Sequence, residues 1–162
     1  MISINMLSKE LGKLLTKGKR SLAVAESCTG GMIAAALTEV AGSSEYFGYG
    51  VVSYSNEAKM KLLQVSEATL DAYGAVSSQT AMEMAVGVRN LAAADFGLSV
   101  TGIAGPGGAT ETKPVGLVYL GFSSSKGTIW IARQFEGTRQ EIRTATVEAA
   151  LVLALENLSK ME

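Results

Sequence analysis

Leu22-Ala-Val-Ala-Glu-Ser-Cys-Thr-Gly-Gly31 is the stretch on which the fold turns. Its first four residues, Leu22–Ala25, make a short apolar run of the kind that fills a buried strand, and the polar turn Glu26–Gly31 closes it. Small apolar residues then continue through Met32–Val40 at helical density. A strand that passes through a tight turn into a helix is the opening of an α/β unit.

Upstream, Leu7, Leu11, Leu14 and Leu15 recur at helical spacing, so an amphipathic helix precedes the strand. Downstream, Ala41–Ser44 reads as a loop, Val51–Tyr54 as a strand, and Glu57–Leu63 as a helix capped by Ser55 or Asn56. Val65–Gly74 reads as a short helix and turn. Ser77 or Ser78 then caps a long helix with Ala81, Ala85, Val88 and Ala92 on one face. Phe96–Val100 is a buried strand, and Val115–Phe122 with Thr128–Phe135 form a hairpin. Thr138 and Glu141 make a capping box for a last helix with Ile142, Ala145, Ala149, Val152 and Leu153 inward. Strands interleaved with helices, plus a hairpin, imply a three-layer α/β/α domain over residues 1–162, its mixed sheet covered by helices on both faces.

Composition narrows the function. The 162 residues are 48% hydrophobic and 18% charged, with a formal net charge of −1, which disfavours a nucleic-acid partner held by phosphate contacts. Lys9, Lys13, Lys17, Lys19 and Arg20 form a basic stripe read as a solvated helix face. No apolar run approaches the roughly 18 residues of a membrane helix. The single cysteine, Cys28, forbids an intramolecular disulfide, and a cytoplasmic home is expected. There is no histidine, so Ser-His-Asp and Cys-His arrangements and the usual zinc sites are excluded. No aspartate-rich cluster suggests a metal, and no cofactor is expected.

Three segments could carry chemistry. The turn Glu26–Gly31 either binds an anion at a helix N-terminus through Ser27, Thr29, Gly30 and Gly31, or is a tight turn capped by Thr29. The stretch Thr101-Gly102-Ile-Ala-Gly-Pro-Gly-Gly108 is a glycine-rich loop at a strand end, where open α/β sheets place ligands; it matches neither phosphate-loop nor dinucleotide patterns. Gly42-Ser-Ser44 with Tyr54-Ser-Asn-Glu-Ala-Lys59 offers a serine and two candidate bases. A free lysine is neutral in only about 1 in 2,500 molecules at pH 7, so Lys59 needs burial or a neighbouring cation to serve. The plain alternative has Lys59 exposed and Tyr54 in the core.

Ala25-Glu-Ser-Cys-Thr-Gly-Gly31, Ala41-Gly-Ser-Ser44, Tyr54-Ser-Asn-Glu-Ala-Lys59, Gly74-Ala-Val-Ser77, Thr101-Gly-Ile-Ala-Gly-Pro106 and Lys113-Pro-Val-Gly116, in this order, resemble the C-terminal domain family of the competence/damage-inducible protein CinA. That family includes stand-alone, PncC-like nicotinamide mononucleotide (NMN) amidohydrolases. The resemblance implies hydrolysis of the NMN carboxamide to nicotinic acid mononucleotide and ammonia, within pyridine-nucleotide recycling. It implies Ser44 as nucleophile, Lys59 as base and Tyr54 as relay, with Ser27 as the alternative nucleophile. Ser27, Thr101 and an arginine, Arg143 in preference to Arg139, become ligand positions. A homodimer or other homo-oligomer is expected. The competing reading is an inactive nucleotide-binding module of the same fold, linked to competence or repair.

Overall fold

The computed structural model describes residues 2–161. Ser3 caps α1 (Ile4–Gly18), accepting from the Met6 amide, and Leu7, Leu11 and Leu15 turn inward. Lys9, Lys13, Lys17, Lys19 and Arg20 face solvent, as the bland reading of that stripe has it. The chain continues through β1 (Leu22–Glu26), α2 (Met32–Thr38), a 3-10 turn (Ser43–Glu45), β2 (Phe47–Val52), α3 (Asn56–Leu63), α4 (Glu67–Tyr73) and α5 (Ser78–Ala92). Then come β3 (Phe96–Gly102), β4 (Leu117–Ser124), β5 (Gly127–Gln134) and α6 (Arg139–Ser159).

The five strands form one mixed sheet in the order β2-β1-β3-β4-β5. The first three run parallel, and β4 and β5 form an antiparallel hairpin closed by Ser125 and Lys126. Alternation along the strands sorts the side chains to two faces. Leu22, Val24, Leu98, Val100, Leu120 and Phe122 pack toward α1, α2 and α6. Ala23 and Ala25 pack with Leu63, Val65, Met84 and Val88 of the α3–α5 layer.

Helix α5 sits close on the sheet because glycines stand beneath it on β3 and β4. A Cβ on Gly121 would lie 2.5 Å from the Ala81 carbonyl oxygen, and one on Gly97 would strike the Ala85 carbonyl. Between them the buried Ser99 hydroxyl donates to the Ala81 oxygen at 2.5 Å. Ser77 caps α5 by accepting from the Thr80 amide at 3.1 Å.

Two sequence expectations are corrected. The second strand runs Phe47–Val52 rather than Val51–Tyr54. Gly48 and Gly50 lie inside it, tolerated because it is an edge strand with little to bury. The inward residues of α6 are Ile142, Thr146, Val147, Ala150, Leu151, Leu153, Ala154 and Leu158; Ala145, Ala149 and Val152 are only half-buried. That helix packs on both the sheet and α1, so a single stripe does not describe it. Among the described residues no helix is long and apolar enough to cross a membrane.

Candidate active site

Parallel pairing brings the C-terminal ends of β1, β2 and β3 to one edge, Glu26 beside Val52 and Val100. The segments leaving those ends enclose a cavity of about 240 Å³. Ser27, Tyr54, Lys59, Thr101, Gly105 and Arg139 are among its walls. The site is thus assembled at the carboxyl ends of strands, where α/β sheets hold ligands.

Lys59 dominates it. Ser55 caps α3 by accepting from the Ala58 amide at 3.0 Å, which sets the helix so that Lys59 turns inward. Its side chain is only 1% exposed. The ammonium donates to Ser27 Oγ at 3.0 Å, to the Ser53 carbonyl at 2.8 Å and to the Tyr54 carbonyl at 3.5 Å. None of these partners is a carboxylate. Burial therefore pulls the lysine down to about pKa 8, slightly opposed by the nearby Cys28 sulfur. Lys59 is buried and Tyr54 is 58% exposed, the reverse of the plain alternative for that pair.

Ser27 owes its place to Glu26. The Glu26 carboxylate is buried and accepts from Thr29 Oγ1 at 2.5 Å, the Ile33 amide at 2.9 Å and the Ala34 amide at 3.0 Å. Its carbonyl takes the Ser53 amide at 2.8 Å, while the Ser27 amide bonds to the Val100 oxygen. The turn after β1 is thereby tied to α2, β2 and β3. This revises the reading of the turn as an anion cradle: the start of α2 is already occupied by the chain's own carboxylate. Thr29 is fully buried and serves that carboxylate, and Gly30 and Gly31, both at positive φ, shape the turn. None of the three lines the cavity.

The remaining expected residues divide. Thr101 and Gly102 line the cavity, the Thr101 hydroxyl donating to the Ala75 oxygen at 2.8 Å. Arg143 uses Nε and Nη2 on the carbonyls of Cys28 and Thr29, both at 3.1 Å, and so braces the turn. Arg139, the arginine placed second from sequence, lines the cavity and donates to the Gly105 carbonyl at 2.8 Å and Tyr54 Oη at 3.0 Å. Tyr54 thus meets Lys59 only through its carbonyl. Ser44 is exposed in the 3-10 turn before β2, whereas Lys59 lies beyond that strand's far end. Six extended residues separate the two by roughly 20 Å, so within one chain they do not meet. Cys28 is buried, which raises its thiol to about pKa 11 and keeps it protonated.

Sequence reasoning missed the role of Glu26 and ranked Arg139 behind Arg143. The signal for Glu26 was a carboxylate just ahead of a helix start, where the exposed amides attract it. Arg139 stands in the first turn of α6, directly after the Thr138 cap. No cluster of three or more His, Cys, Asp or Glu among the described residues could hold a metal.

Comparison with known proteins agrees with this architecture. The family model of the CinA C-terminal domain matches residues 4–158. A competence-damage inducible protein of Thermoanaerobacter sp. (strain X514) is 58% identical over 139 residues, covering 86% of this chain and 34% of that protein. A CinA-like protein of Endomicrobium trichonymphae is 54% identical over 147 residues, covering 91% of this chain and 34% of that protein. The chain spans about a third of the length of these curated relatives. Among solved structures, the competence/damage inducible protein CihA of Agrobacterium tumefaciens superposes with a TM-score of 0.90 at 45% identity, covering 94% of this chain and 95% of that one. The competence damage-inducible protein A of Klebsiella pneumoniae subsp. pneumoniae MGH 78578 gives 0.95 at 34% identity, with 99% of both chains covered. The chain belongs to the CinA C-terminal domain family.

Proposed function

We propose that the chain is a serine amidohydrolase that converts NMN to nicotinic acid mononucleotide and ammonia, with Ser27 as nucleophile and Lys59 as its base. The observation that carries this reading is the buried 3.0 Å contact between Lys59 Nζ and Ser27 Oγ, with no carboxylate holding the lysine protonated. A lysine near pKa 8 is neutral in about one molecule in ten at pH 7, some 200-fold more than a free one. Ser44 has no such base among the described residues, so Ser27 takes the nucleophile's role in place of Ser44.

The chemistry follows from the pair. Neutral Lys59 takes the Ser27 proton as Oγ bonds to the amide carbon. The tetrahedral intermediate collapses as the C–N bond breaks and Lys59 returns that proton to the departing nitrogen, releasing ammonia. Water then attacks the ester carbon, again giving a proton to Lys59, which passes it to Ser27 Oγ as the C–O bond breaks. Ala104, Gly105, Gly107 and Gly108 border the cavity, and their amides form no hydrogen bond among the described residues, which leaves them as candidate donors to the oxyanion. Such donors are commonly worth ~3–4 kcal/mol each.

Charge supports an anionic nucleotide. Lys59 and Arg139 line the cavity, and among the described residues no Asp or Glu does. Arg139 retains N–H groups beyond the two used on Gly105 and Tyr54, enough to grip a phosphate at the mouth. The test is incubation of the purified chain with NMN, following ammonia and the acid together. Equal amounts of both are expected. Binding without either product would leave a nucleotide-binding module instead.

A further inference from the structure

The groups that face Lys59 make an unusual reception for a charged ring. Ser27 and Cys28 approach from the turn after β1, and the Ser53 and Tyr54 carbonyls from the end of β2. Arg139 reaches over from α6. On the lysine's own helix, Glu57 is exposed and paired with Lys61. Glu26 spends its carboxylate on Thr29 and the start of α2, and Arg143 lies behind Cys28 on carbonyl oxygens. Glu83 of α5, the helix packed on α3, accepts from the Ser66 amide. Among the described residues no anion lines the cavity to neutralise a cation entering it.

Attack by Ser27 on the carboxamide fixes where the ring must sit. Oγ approaches the amide carbon at roughly 3 Å, and the ring nitrogen lies only three bonds further on. Lys59 Nζ is 3.0 Å from the same Oγ, so ring charge and lysine stand within roughly 6–9 Å. Two positive charges at that separation, in a partly buried site, shift a lysine by roughly one to two pH units.

Resting on the NMN reading, we propose that the positive charge of the pyridinium ring activates the enzyme by driving the proton from Lys59 to solvent. The site thereby selects a quaternary pyridinium carboxamide over an uncharged-ring analogue at neutral pH. Arg139 escapes the same effect because guanidinium holds its proton and the substrate phosphate offsets it. The selectivity is conditional: above about pH 9 the lysine is neutral without help, and the ring charge no longer matters.

The experiment compares NMN with its reduced 1,4-dihydropyridine form from pH 6.5 to 9.5. The two amides differ in intrinsic reactivity, but that factor does not vary with pH. The ratio of their kcat values is expected to fall about tenfold or more across the range. For NMN, the midpoint of kcat is expected at least one pH unit below that of kcat/KM. Calorimetry on Ser27→Ala near pH 7.5, in buffers of different ionisation enthalpy, should show proton release with NMN and none with the reduced form. Ammonia release from NMN with a constant ratio and coincident midpoints overturns this proposal alone. No ammonia from NMN at any pH overturns the amidohydrolase reading and this proposal with it.

Discussion

Lys59 brings an amine into the interior with only a hydroxyl and carbonyl oxygens as hydrogen-bond partners, and two measurable consequences follow. Its pKa in the folded chain, about 8, lies below the unfolded value of about 10.4. Between those values the unfolded chain binds more protons, so this group adds stability as pH rises from 8 to 10; below 8 the buried charge costs about 3 kcal/mol. Lys59→Met removes that dependence. Its stability relative to the parent chain should therefore fall by about 3 kcal/mol between pH 7 and pH 10 in denaturant titrations, and a constant difference would argue against a neutralisable lysine. In the parent, kcat/KM for NMN should climb with pH and level off above about 8, because it reports the free enzyme's base.

At the scale of elements, the site depends on how the turn after β1 is held. Glu26→Ala strips the acceptor from two α2 amides and the Thr29 hydroxyl, and should cost about 2–4 kcal/mol in thermal or denaturant unfolding. Gly121→Ala, on the opposite side of the same strand system, forces a methyl against the α5 backbone and should cost about 1–3 kcal/mol, read the same way. The strand–turn–helix of Leu22–Thr38 was legible because its apolar run, glycines and helical density agree with one another. Strand β2 was not, since Gly48 and Gly50 interrupt its pattern and an edge strand needs no buried alternation. Nearness in sequence and the family resemblance both pair Ser44 with Lys59, yet β2 runs between them and carries one away from the other. Lys59's burial was equally invisible: it depends on the Ser53 and Tyr54 carbonyls and Ser27, brought together only by parallel pairing.

For the molecule as a whole, three parallel strand ends, the loop after β3 and the start of α6 surround one cavity lined, among the described residues, by two cations and no acid. Arg139 joins the far walls through Gly105 and Tyr54, so its loss should weaken substrate capture more than the chemical step. Arg139→Gln is expected to raise KM for NMN about tenfold or more with a smaller change in kcat. Any hydrolysis of nicotinamide riboside, which has no phosphate, should stay nearly unchanged; equal losses on both would place Arg139 in the chemistry instead. Ammonia release from NMN in Ser27→Ala and Ser44→Ala, measured beside the parent chain, tests the pairing of Ser27 with Lys59. Loss of at least a thousandfold in Ser27→Ala, with Ser44→Ala within a few-fold of the parent, is the predicted result. An active Ser27→Ala and a silent, folded Ser44→Ala would contradict it.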